Sequence, residues 1–152
     1  MTPTVDIWTD GAAHPNNGSG FGGWGVVIKT ADSESELSGS EAKTTNNRME
    51  MMAAIKALES LSKPSVVNLR SDSKYVIDAF NKKWLVGWQK KGWKTSTGTA
   101  VKNQDLWLQL LALAKVHKIT WTWVRGHAGD EDNDRCDRLA VDARVKLAQD
   151  LE

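Results

Sequence analysis

The run VDIWTD at residues 5–10 alternates apolar and polar side chains and closes on an acid ahead of Gly11, and VVNLRSD at residues 66–72 repeats the pattern. Period-two alternation and β-branched content make both short strands. Each brings an aspartate, Asp10 and Asp72, to its carboxyl end. Outward from the first run, a glycine-rich stretch leads to a second strand at residues 24–29, and a weaker, more polar third follows at 35–40, as in an antiparallel meander. Thr45 or Asn46 can cap a helix running to about residue 61, with Met51, Ala54, Ile55, Leu58 and Leu61 on its buried face and Pro64 beyond its end. After the 66–72 strand come a short helix at 73–80, a Trp/Lys segment, a helix at 103–115 built on Leu106, Leu110, Leu111 and Leu113, and a fifth strand at 118–124. Asp130 or Asp132 can cap a last helix reaching about residue 148. Strands first, then helix–strand alternation, predict an α/β fold, a five-stranded mixed sheet of three antiparallel and then parallel strands flanked by helices. The active edge of such a sheet lies at the carboxyl ends of its parallel strands, where Asp10 and Asp72 fall.

Length and composition suit one domain over residues 1–152 with a single core. The one cysteine, Cys136, excludes a disulfide framework and lies on the apolar stripe of the last helix, which reads as a packed thiol in a reducing compartment. The N-terminus enters a strand directly and no stretch approaches a membrane span, so the expectation is a cytoplasmic protein without a membrane partner. Net charge is only +1, yet residues 80–103 contain no acid while Lys82, Lys83, Lys90, Lys91, Lys94 and Lys102 all lie there. A basic protrusion at about residues 81–102 therefore stands out from an acidic remainder.

Two further acids join the pair. Glu50, in TTNNRME, shares a helix face with Ala54, Ala57 and Leu61, a costly place for a carboxylate unless a cation or donor compensates it. Asp137, in RCD, adjoins the stripe Cys136, Leu139, Ala140, Ala143 and Leu147. Taken singly, Asp10 and Asp72 read as turn formers or caps. Four carboxylates converging on one edge would repel one another, and a bound Mg²⁺ or Mn²⁺ relieves that repulsion.

His127 sits between glycines just after a strand, placed for a proton carrier or phosphate contact and almost equally for a solvated loop histidine. His14 and His117 read as surface residues. In KKWLVGWQKKGWKTSTGTAVKN, residues 82–103, Trp84, Trp88 and Trp93 interleave with lysines. Lysines such as Lys90 and Lys91 meet phosphates while indoles stack on sugars or bases, although tryptophans equally build a satellite core. Thr44, Thr45, Asn46 and Asn47 open a helix with more polar side chains than a cap needs, which suits phosphate or 2′-hydroxyl contact. Gly18, Gly20, Gly22, Gly23 and Gly25 permit close backbone approach or form a flexible hairpin.

TDG at residues 9–11, TTNNRMEMMAAIKALE around Glu50, SDS around Asp72, the W-x₃-W-x₄-W-K segment with VKNQDLW, and WVRGHAG through RCD together resemble the type 1 ribonuclease H family, close to its bacterial ribonuclease HI members, over nearly the whole chain. The resemblance implies a ribonuclease H-like fold and a monomer with no obligate protein partner. It also implies a metal-dependent endonuclease that cuts the RNA strand of an RNA/DNA hybrid, leaving 5′-phosphate and 3′-hydroxyl ends. Asp10, Glu50, Asp72 and Asp137 match the family's metal ligands, which hold two Mg²⁺ ions about 4 Å apart, one activating a water and the other stabilising the leaving oxygen. His127 matches its loop histidine, serving proton transfer or product release. By the same resemblance Asn16, Asn46 and Glu50 contact RNA 2′-hydroxyls, Trp84 and Trp107 face the DNA strand, and Thr45 belongs to a phosphate pocket.

The chain departs from the family pattern in AAHPNNGSGFGGWG after Asp10, in Gly87 where relatives often carry asparagine, and in the acidic run Asp130, Glu131, Asp132. Two competing readings share parts of this pattern: a DNA-cutting nuclease related to transposases and integrases, and a noncatalytic hybrid-binding module. The Trp/Lys protrusion argues against the first and the complete set of acids against the second.

Overall fold

A computed structural model of the chain describes residues 2–126 and 130–151. Strand β1 (Thr4–His14) is the centre of a five-stranded sheet. On one side β2 (Gly20–Lys29) and β3 (Glu34–Thr44) add antiparallel; on the other β4 (Val66–Ser71) and β5 (Lys118–Trp123) add parallel, giving the order β3-β2-β1-β4-β5. The helices are α1 (Asn46–Glu59), α2 (Lys74–Asn81), α3 (Trp84–Lys90), α4 (Gln104–Val116) and α5 (Glu131–Asp150). The expected mixed α/β sheet is the observed one.

Three strands run further than their local sequence predicts. β1 continues past Asp10 to His14, β2 begins at Gly20 rather than Trp24, and β3 reaches Thr44. Pairing supplies what propensity lacks: Asp10 lies opposite Gly25 and His14 opposite Phe21, so a glycine- and alanine-rich stretch is held by ladder bonds on an antiparallel partner. α3 is also unannounced by its sequence, being seven residues long and anchored on one buried side chain, Leu85.

Val5 and Ile7 of β1 and Val67 and Leu69 of β4 point to the face covered by α1, whose Met51, Ala54, Ile55 and Leu58 are all buried. Each of the larger side chains contributes about 1.5–3 kcal/mol. α5 covers the opposite face of β1, β2 and β3. It does so at backbone distance, because a Cβ on Gly23 would collide with the Ala140 carbonyl oxygen and one on Gly25 with that of Cys136. The glycine stretch is thus a packing lane for a helix. Cys136 is buried and free as expected, its thiol donating to the Trp8 carbonyl at 3.2 Å.

Asp130 caps α5, accepting from the Asp132 and Asn133 amides. Asp132 pairs with Lys29 at 2.9 Å, and Arg135 reaches Glu36 at 2.6 Å and Glu34 at 3.1 Å, tying the first turns of α5 to the β2–β3 hairpin. The acidic run has a structural use. His117 corrects its expectation: it is buried, and its Nδ1 accepts the Ser65 amide at 3.1 Å where α4 turns into β5. His14 is exposed.

Candidate active site

The parallel ladder between β1 and β4 ends at Thr9 and Ser71, while β1 continues along β2. Asp10 is therefore the first β1 residue with no β4 residue beside it, and Asp72 is the first residue beyond β4. Along each strand these two aspartates alternate onto the face opposite the α1 core. Glu50 comes from α1, and Gly11 lets it in: a Cβ on Gly11 would collide with the Met49 backbone and the Glu50 amide nitrogen. One oxygen each from Asp10, Glu50 and Asp72 lie within 4.8 Å of one another. Asp137, half-buried on α5, lies outside this trio but near enough for its charge to act on Asp10.

Burial is the main force on these groups. It pushes Asp10 up to about 7, with the charges of Asp72 and Asp137 adding to the rise while hydrogen bonds from Glu50 and the Gly11 amide oppose it. Burial, and then the charge of Asp10, holds Glu50 well above the usual carboxylate range. Glu50 Oε2 is enclosed and has no hydrogen-bond partner. A buried acceptor without a donor, in a set of hard oxygen ligands, fits a divalent cation. The carboxylates are accordingly suited to hold one.

Asp72 is steadied by its surroundings. The Trp123 indole N–H donates to its carbonyl at 3.0 Å, and a Cβ on Gly126 would lie 2.8 Å from Asp72 Oδ2. The sequence assigned neither a role; the signal was the place of Trp123 at the end of β5, level with Ser71, with Gly126 three residues on. His127 lies outside the described residues.

The polar helix start forms one corner with the β1–β2 hairpin. Thr45 caps α1 by accepting the Arg48 amide at 3.2 Å, Asn46 Oδ1 accepts the Ala13 amide at 2.6 Å, and the Asn46 amide donates to Asn16 Oδ1 at 2.8 Å. Asn16, Thr45 and Asn46 are brought together, with Asn16 exposed, while exposed Asn47 lines a hollow with Tyr75, Trp88 and Asn103. Much of their hydrogen-bonding capacity is spent on the hairpin and helix.

The Trp/Lys segment divides into an inside and an outside. Trp107 is wholly buried, with ring centroids of Tyr75, Trp88 and Phe80 at 5.2, 5.7 and 6.3 Å. The expectation that Trp107 faces a DNA strand is corrected: α4 turns it into the core, where it is the floor beneath Trp88. Trp84, 38% exposed, and half-buried Trp88 line an open hollow of about 490 Å³ with Lys83, Lys91 and Lys94. Lys90 is exposed but does not line it. Lys83 and Lys94 join the hollow unforeseen, since loop geometry rather than spacing brings them there.

The RNase H family model matches residues 2–145. The chain is 53% identical over 141 residues to a Ribonuclease H of Novosphingobium aromaticivorans, covering 93% of this chain and 96% of that one. It is 53% identical over 145 residues to a Ribonuclease H of Zymomonas mobilis, covering 95% and 91%. Among solved structures, LC9-RNase H1, a type 1 RNase H with the type 2 active-site motif, aligns with a TM-score of 0.86 at 32% identity over 96% of this chain and 74% of that one. LC11-RNase H1 in complex with RNA/DNA hybrid aligns with a TM-score of 0.73 at 25% identity over 95% and 99%. A mixed sheet edged with carboxylates beside a basic aromatic hollow is the build of a nucleic-acid hydrolase. The chain belongs to the RNase H family.

Proposed function

We propose that this protein is a metal-dependent endonuclease that hydrolyses the RNA strand of RNA/DNA hybrids, leaving 5′-phosphate and 3′-hydroxyl ends. The observation that carries the reading is the carboxylate trio, with the unpartnered Oε2 of Glu50 enclosed in it. Asp10, Glu50 and Asp72 hold divalent ions, with Asp137 completing the set from α5; the ions are two Mg²⁺, for which Mn²⁺ can substitute. Such ions supply Lewis acidity and charge neutralisation at a phosphodiester. The protein's part is to aim the acids at one edge, where a bound divalent ion would offset the burial that raises Asp10 and Glu50. β1 and β4 fix Asp10 and Asp72, Gly11 admits Glu50, and the Lys29–Asp132 and Arg135–Glu34 pairs steady the helix bearing Asp137. His127 carries a proton or speeds product departure.

Two surfaces select the hybrid. The corner of Asn16, Thr45 and Asn46, with Asn47 next on α1, meets the 2′-hydroxyls and backbone of the RNA strand. The hollow of Trp84, Trp88 and Lys91, with Lys90 nearby, takes the DNA strand, so recognition rests on shape and backbone charge with little sequence preference. Residues 1–152 act as one domain and as a monomer. Among the described residues no helix is long and apolar enough to cross a membrane, and we place the protein in the cytoplasm.

The test uses end-labelled RNA annealed to DNA or to RNA, beside a matching DNA duplex, with Mg²⁺ or EDTA. Cleavage of RNA in the hybrid alone, abolished by EDTA, is the expected result. A hybrid that is bound but intact in Mg²⁺ would favour a noncatalytic module, and a cut DNA duplex would favour a DNA nuclease of the same fold.

A further inference from the structure

We infer that Trp123 is a positioning residue for Asp72: its indole N–H takes over from the strand ladder at the point where β5 stops supporting β4, and so fixes how the Asp72 carboxylate is presented to a divalent ion. The inference rests on the reading of Asp72 as a metal ligand.

The last paired residues of β4 and β5 are Ser71 and Trp123, and the last ladder bond runs from the Val124 amide to the Ser71 carbonyl at 2.9 Å. The next carbonyl, that of Asp72, lies beyond the ladder. Without a donor that carbonyl would be unpaired at the strand end, and the turn that sets the direction of the Asp72 side chain would lose its tie to β5. The Trp123 indole N–H fills the vacancy at 3.0 Å. Two serines brace the same turn, Ser71 Oγ accepting the Ser73 amide at 3.0 Å and Ser73 Oγ accepting the Val76 amide at 3.3 Å. On the carboxylate side Gly126 packs against Oδ2. The turn that bears Asp72 is thus held by three side chains, one of them on a different strand.

Trp123 is not a core residue. It is 41% exposed, whereas its strand neighbour Trp121 is buried and stacks on Phe80 with ring centroids 4.0 Å apart. The ring of Trp123 is covered by the Lys74 ammonium, 4.7 Å from its centroid, at the first residue of α2. A large indole left in solvent at a strand end, aimed back at the one peptide that follows β4, is better explained by its N–H than by its area. Hydrogen-bonding groups behind a metal ligand set ligand orientation, and losing one typically costs about 10–100-fold in metal affinity.

The experiment is calorimetric titration of Mg²⁺ into the metal-free protein, into Trp123→Phe, and into protein carrying β-(3-benzothienyl)alanine at position 123, which keeps the indole shape with sulfur in place of N–H. Thermal midpoints and hybrid affinity in EDTA are measured alongside. Mg²⁺ affinity should fall about tenfold in both altered proteins, while thermal midpoint and hybrid affinity stay close to wild type, and Mg²⁺-dependent kcat should recover at higher Mg²⁺ with KM for hybrid unchanged. Wild-type Mg²⁺ affinity in the benzothienyl protein would overturn the inference, as would a loss in Trp123→Phe that merely tracks a lowered thermal midpoint. If the unaltered protein binds no Mg²⁺, the ligand assignment itself is wrong, a failure seen without any variant.

Discussion

At the carboxylate edge, Asp10 stands within β1 just past the last β4 pair and Asp72 just beyond β4, both set by parallel and antiparallel ladders, whereas residues 82–103 hold their aromatic and basic side chains on a seven-residue helix, on the left-handed residues Lys83, Trp93 and Asn103, and on ring-to-ring contact. The first region is backbone geometry with few side-chain choices left; the second is side-chain packing on an irregular backbone. A change of one atom at the edge should therefore alter chemistry more than fold. In the protrusion, the effect should depend on whether the altered ring faces the core or the hollow.

The largest effect should come from Asp10→Asn, which removes a charge from the trio while keeping its shape. Hybrid cleavage in Mg²⁺ should fall on the order of 10³-fold, the scale of losing a group that organises transition-state charge. The metal-free variant should melt above the wild type, because a buried repulsion has gone. Cleavage within tenfold of wild type would remove Asp10 from the site.

Next is the core side of the protrusion. Trp107→Ala empties the space between Tyr75, Phe80 and Trp88, and should cost about 3–5 kcal/mol in urea unfolding. A cost below about 1 kcal/mol would mean that the aromatic stack carries little load. Gly11→Ala comes third. Its methyl must displace the α1 backbone at Met49 and Glu50, an overpacking cost of about 1–3 kcal/mol. Because that shift parts Glu50 from Asp10, Mg²⁺ affinity should fall with stability, and unchanged metal binding would separate the two.

Proton linkage gives a smaller, signed effect. Asp10 is raised from 3.8 to about 7 by burial, so between these values the folded protein holds a proton that the unfolded chain has released. Below about pH 4 both states are protonated and the site costs nothing; stability then declines as pH rises toward 7, and above that the cost is fully present. Glu50 is coupled to Asp10, so the two acids titrate as a pair and the decline is less than a sum over both. Thermal melts in EDTA from pH 4 to 8 should show a decline that Mg²⁺ abolishes and Asp10→Asn reduces. A flat profile in the wild type would mean that the trio is more hydrated than its burial indicates.

The two regions also differ in how far they could be read from sequence. Strand alternation in VDIWTD and VVNLRSD placed Asp10 and Asp72 at one edge, and an acid among alanines on α1 marked Glu50. What alternation could not reveal was that β1 runs on past Asp10, because the glycines that permit this are poor strand formers and only pairing with β2 overrides them. The sequence carried no sign of the Trp123 hydrogen bond, which depends on the level at which two parallel strands stop. In the protrusion, tryptophan and lysine composition stated a choice between stacking surface and satellite core without deciding it. The fold divides the rings between both, with Trp107 inside, Trp84 outside and Trp88 between them.

That division sets the smallest expected effects. Trp84 is more than a third exposed, so Trp84→Ala should change unfolding free energy by less than about 1 kcal/mol. It should weaken hybrid binding by about 1–3 kcal/mol if its face stacks on a sugar or base. Lys91→Ala, in the same hollow, should leave stability unchanged, weaken hybrid binding in low salt, and reduce the slope of log affinity against log salt by about 1. The pair of measurements separates two roles that composition merges: a ring that stacks gives a salt-independent loss, and an ammonium that meets phosphate gives a salt-dependent one. Equal salt dependence in the two variants would mean that the hollow acts only as a region of positive potential. Its tryptophans would then belong with Trp107, as packing for α3.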